Sequence, residues 1–123
     1  MSNLKVNQVT SDKWLNSDGT ENFKIRAWVS FNGAGTLNIL DSGNVASVVD
    51  NGTGWYTVKF AKPMKTANYC AMGFSGRNSV GSILTRDGGH KQTTGEFEFT
   101  TRLLGGTVTA VDSDYVYLAF VEN

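Results

Sequence analysis

The chain has 123 residues, with 11 Lys plus Arg balanced by 11 Asp plus Glu, a single histidine and a single cysteine. That length suits one domain with its own core, and the scattered, balanced charge leaves no basic footprint for nucleic acid. With Cys70 alone there is no intrachain disulfide and no Cys-based zinc site; Met1 to Lys5 lacks a signal-peptide run and no stretch is long enough to span a membrane, which predicts a soluble product of a cytoplasm without membrane insertion.

Residues 1–22 read as an N-terminal arm. Leu4, Val6 and Val9 are thinly spaced and Asn16 to Asn22 is loop chemistry, so the arm is expected to pack against the domain or a neighbouring copy, with Trp14 as an anchor. From residue 23 onward short apolar runs separated by glycine-marked turns predict an all-β domain over 23–123, an antiparallel β-sandwich of jelly-roll-like or similar form. Lys24 to Phe31 alternates, with Ile25, Ala27, Val29 and Phe31 on one face and Trp28 on the polar one. Asn32 to Gly35 supplies a turn, Thr36 to Leu40 returns, and Asp41 to Asn44 separates it from Val45 to Val49.

Asp50 to Gly54 contains an Asn-Gly pair and a second glycine, a strong hairpin signal. The returning strand, Trp55 to Ala61, places Tyr56, Val58 and Phe60 inward and Trp55, Thr57 and Lys59 outward; Pro63 ends it. Tyr69 to Phe74 follows, with Cys70 expected as a small buried hydrophobe. Val80 to Leu84 is a short strand in a polar stretch, Phe97 to Leu103 alternates cleanly, and Thr107 to Val111 is brief. The final run, Tyr115 to Val121, is apolar on both faces, which calls for a central strand or for a second face that meets another subunit.

The stretch Arg26-Ala27-Trp28-Val29-Ser30-Phe31-Asn32-Gly33-Ala34-Gly35-Thr36 resembles a module of bacteriophage tail fibre and related virion proteins, marked by Arg-Ala-Trp-Val-x-Phe-Asn-Gly-x-Gly-Thr. The similarity continues through Gly43 to Gly54, Tyr56 to Phe60 and Met64 to Tyr69, and the ending Asp112 to Phe120 looks like the module's closing strand; Gly73 to Leu104 is unmatched. The resemblance implies a virion structural role at a tail fibre, spike or similar appendage, homotrimerisation, and contact with other virion proteins, in a product made in the host cytoplasm.

Catalytic chemistry is hard to place. Glycoside hydrolysis needs two carboxyl groups flanking the bond; Asp112 with Asp114 lies in a turn where Asp bonds local backbone, and Glu96 with Glu98 lies on a polar strand face. No Gly-x-Ser-x-Gly elbow accompanies His90, no second histidine sits at ligand spacing, and no helix is expected behind a glycine-rich phosphate cradle, so no catalytic residue, metal or cofactor is assigned. For binding, sugars pair an aromatic ring with hydrogen-bonding side chains. Trp55 beside a turn, and the loop residues Arg77, Asn78, Arg86, Asp87 and His90, are the candidates for a host-surface glycan, against the plainer alternative of solvated connectors. The expectation is a non-enzymatic phage structural protein; a capsid decoration or plug protein with only virion partners is the alternative, and a polysaccharide-degrading enzyme the third.

Overall fold

The computed structural model describes residues 17–19, 24–78, 81–104 and 109–122. Among these are eight strands and no helix: β1 (Lys24–Asn32), β2 (Asn38–Gly43), β3 (Val45–Gly52), β4 (Trp55–Phe60), β5 (Cys70–Gly76), β6 (Gly81–Thr85), β7 (Glu96–Leu103) and β8 (Tyr115–Glu122). All pair antiparallel in one sheet of order β2-β1-β8-β5-β6-β7-β4-β3. The sheet is nearly closed and barrel-like, and its two halves, β2-β1-β8-β5 and β6-β7-β4-β3, share one core as the layers of a sandwich do. The all-β antiparallel expectation holds. Most of the arm, residues 107 and 108 of the expected strand Thr107 to Val111, and Val80 lie outside the described residues.

Inward alternation builds the core. Ala27, Val29 and Phe31 of β1, Tyr56, Val58 and Phe60 of β4, Phe97 and Phe99 of β7, and Val116, Leu118 and Phe120 of β8 are buried. Rings from opposite halves meet across it: Phe60 and Phe120 at 4.9 Å and Phe31 and Phe99 at 6.3 Å between centroids, with Phe97 stacked on Phe99 between the two groups.

Three local expectations change. Ile25 is 60 % exposed, because the ladder to β8 slips between Ile25 and Ala27 and puts them on opposite faces. Asp41 to Gly43 does not separate strands; it continues β2, and only Asn44, with φ of 55°, breaks the run into β3. That corner is stitched: the Asn44 side-chain amide donates to the carbonyls of Arg26 and Lys62, and its Oδ1 accepts the Lys62 N–H at 2.7 Å. Cys70 is exposed, since it pairs with Val121 on the outer face.

The β3–β4 turn carries a demanding glycine. Gly54 has φ of +65°, and a Cβ there would lie 2.6 to 2.7 Å from backbone atoms of Val111 and Thr101. Gly35 has a similar φ of +63° with nothing within 4 Å. Gly54→Ala is therefore expected to cost about 2–4 kcal/mol, combining left-handed backbone strain with a clash that backbone cannot yield to, and Gly35→Ala about 1–2 kcal/mol. Urea melts of the two variants check this; equal losses would mean that the close approach is not felt.

Candidate functional site

The two half-sheets present outer faces of opposite character. On the first, register aligns Gly43, Trp28, Ala119 and Met72 in one row, Ser30, Tyr117 and Phe74 in the next, and Ile25, Val121 and Cys70 in another. Trp28 is 40 %, Met72 49 %, Phe74 68 % and Tyr117 38 % exposed. Between them runs an open apolar groove of about 430 Å³, with Ala119 as part of its lining. Gly43 makes room for the indole of Trp28, whose Nε1 would lie 2.4 Å from a Cβ at that position. Phe74 and Tyr117 pack ring against ring at 5.3 Å.

β5 is the source of this surface. On its inward parity stand the small Ala71 and Gly73, the latter without a side chain and open to the groove, and on its outward parity Met72 and Phe74, so the bulk points away from the core. A Cβ at Gly73 would come within 2.8 Å of the Leu118 side chain, so nothing larger fits inside. A contiguous run of exposed aromatic and thioether side chains is uncommon on a surface that stays in water.

The second outer face carries a polar patch over β3, β4 and β7, although Val49, Trp55 and Ile83 are also exposed on these strands and β6. A shallow groove of about 170 Å³ is lined by Asn51, Thr57, Lys59, Lys91, Glu96 and Glu98, with Val49 as its apolar member. The Asn51 amide donates to Thr57 Oγ1 at 2.7 Å, the Lys91 N–H donates to Glu98 Oε1 at 3.3 Å, and the Lys91 ammonium stands 3.9 Å from Glu96 Oε1. Trp55 precedes Thr57 by one outward position on β4 and is 42 % exposed, its indole lying over Gly52.

The residues named for binding are divided between two ends of the molecule. Arg77 and Asn78 follow β5; the Asn78 N–H donates to Asp114 Oδ2, and the Tyr115 hydroxyl donates to Asn78 Oδ1, both at 2.9 Å. Arg86, Asp87 and His90 come together in the turn after β6, joined by Arg102 and Thr100. The Arg86 guanidinium donates to the His90 carbonyl, and Arg102 pairs with the Asp87 carboxylate. The Asp87 N–H donates to His90 Nδ1 at 3.1 Å, which leaves Nε2–H to face Thr100 Oγ1 at 3.3 Å. This turn is closed on its own partners. Trp55 reaches its edge, because Trp55 and Thr100 are ladder partners.

The acidic pairs take different roles. Asp112 does not bond local backbone; its Oδ1 accepts the Gly54 N–H at 2.8 Å and the Tyr56 hydroxyl at 3.0 Å, more than fifty residues away in the chain. Glu96 and Glu98 remain on the polar face, beside two lysines. Among the described residues no three His, Cys, Asp or Glu side chains gather as a metal-binding group.

Two phenols are tied into the core. Burial, reinforced by the Asp112 carboxylate, raises Tyr56 well above the ordinary tyrosine range. Burial likewise pushes Tyr69 up to about 12, against the opposing pull of Arg86 and with help from Glu96 and Glu122. Tyr69 donates to the carbonyls of Thr93 and Glu96. Because the folded state favours the neutral phenols, the stability they confer is complete below their unfolded value of 10.0 and is lost as pH rises through about 12 for Tyr69 and higher still for Tyr56. Alkaline titration is expected to show the Tyr56 and Tyr69 phenolate signals only as near-ultraviolet dichroism collapses; ionisation of both with the fold intact below pH 10 would contradict the burial argument.

Met72, Phe74 and Tyr117 were not among the residues named for binding, although the alternation of small and large residues in 70–74 carries the signal. Asn51, Lys59 and Lys91 were missed because their convergence depends on the pairing of β3, β4 and β7. No family model matches this chain, and neither a curated protein nor a solved structure matches it.

Proposed function

We propose that the chain is a non-enzymatic structural module of a bacteriophage virion, at a tail fibre or related appendage, and that it assembles as a homotrimer through the outer face of β1, β8 and β5. The observation that carries the assembly is the inverted pattern of β5, whose large residues Met72 and Phe74 face outward beside Trp28 and Tyr117. Covering that face with copies of itself removes the largest apolar exposure described above. The virion assignment draws on the Arg26 to Thr36 motif and its continuation. Other virion proteins are the remaining partners, met after synthesis in the host cytoplasm.

Native mass spectrometry of the whole chain tests the assembly, with a trimer expected at micromolar concentration and a monomer overturning it. Fractionation of virions tests the position. Recovery with tails supports the appendage, and recovery with capsids alone would replace it with a decoration or plug protein. Release of reducing ends from host polysaccharide by the purified chain would replace both with an enzyme.

A further inference from the structure

We propose that the polar groove on the outer face of β4 and β7 binds a neutral oligosaccharide, with the Trp55 indole packing against the apolar face of one sugar ring. This concerns the face opposite the trimer contact and does not depend on it. The groove's side chains offer hydroxyl groups both donors and acceptors. The Lys59 ammonium makes no hydrogen bond or ion pair among the described residues. Asn51 commits its amide N–H to Thr57 and keeps Oδ1, while Glu96 and Glu98 each engage only Oε1 and keep Oε2.

Charge selects the ligand class. Two lysines stand against two glutamates along the same groove, so its formal charge is zero. An acidic sugar's gain at Lys59 is offset by the Glu96 and Glu98 carboxylates in the same groove, whereas a neutral one meets matched donors and acceptors without a net field. Trp55 supplies the remaining requirement, an exposed ring held over Gly52 about one strand repeat, roughly 7 Å, from Thr57 on the same face. The groove is shallow and open, which suits an extended chain of sugars lying along the strands better than one enclosed ring.

The test is a heteronuclear NMR titration of the whole chain with hexamers of glucose, galactose and N-acetylglucosamine, and with a galacturonate hexamer as the acidic comparison. Shifts are expected at the Asn51, Thr57 and Lys59 amides and at the Trp55 indole N–H with at least one neutral hexamer. Trp55→Ala should abolish the shifts at the three amides, and Glu98→Gln and Lys59→Met should each weaken binding about tenfold while leaving the melting temperature and assembly mass unchanged. Absence of shifts with all three neutral hexamers at millimolar concentration, tighter binding of galacturonate, or indifference to Glu98→Gln and Lys59→Met would each overturn the proposal. Assembly mass is read separately, so failure of the trimer and failure of the groove are distinct results.

Discussion

The double variant Met72→Glu with Phe74→Glu is expected to be a folded monomer. Both side chains stand on the outer face, 49 % and 68 % exposed, so the core does not register their loss. At a trimer contact each is worth about 1.5–3 kcal/mol of apolar burial. Replacing them with carboxylates also places unpaired charge in a desolvated contact, a further few kcal/mol per group. Summed over three copies, association should weaken by more than about a thousandfold, which is enough to leave only monomer at micromolar concentration. Sedimentation equilibrium should give one third of the wild-type mass, with an unchanged far-ultraviolet dichroism spectrum. An intact trimer in the variant would exclude this face as the contact.

Phe120→Ala acts on the other side of the same sheet. Phe120 is fully buried and touches the rings of Phe60, Phe97 and Tyr69 at centroid distances of 4.9, 5.3 and 5.9 Å. Rings from β4, from β7 and from Tyr69 just before β5 surround the vacated space, so it closes poorly, and the expected loss is about 3–5 kcal/mol. Set against a domain stability of about 5–15 kcal/mol, that leaves a marginal fold. Phe74→Ala, which removes an equal ring from the outer face, should cost the monomeric background less than about 0.5 kcal/mol. Urea denaturation in that background compares them. Similar losses would mean that β5 and β8 do not divide inner from outer as described.

The core was legible because strand period is a local property. Tyr56, Val58, Phe60, Phe97 and Phe99 alternate without interruption, and each is buried. The misplacements occur where alternation is broken by pairing. Nothing in Lys24 to Val29 marks the bulge that turns Ile25 outward, since the slip belongs to the ladder with β8. Cys70 was misplaced for a related reason, because its composition is that of a core residue while its parity puts it outside. The apolarity of Tyr115 to Val121 on both faces left a central strand or a subunit contact open, and β8 does lie inside the sheet, between β1 and β5. The polar groove was out of reach, as it joins Asn51, Lys59, Lys91 and Glu98 from β3, β4, β7 and the loop before β7. Sequence spacing says nothing about such a meeting until strand order is known.

The pairing of Lys24 with Glu122 puts the start of β1 beside the end of β8 at one end of the sheet. Tension applied between these two residues would therefore load the β1–β8 ladder one hydrogen bond after another, in the manner of a zip, with no bonds sharing the force in parallel. A filament that transmitted pull through this module from one end of its chain to the other would be weakest at this seam. An assembly that carries load between copies, across the faces of the half-sheets, leaves the seam unstressed, and the module then serves as a mechanical terminus instead of a link.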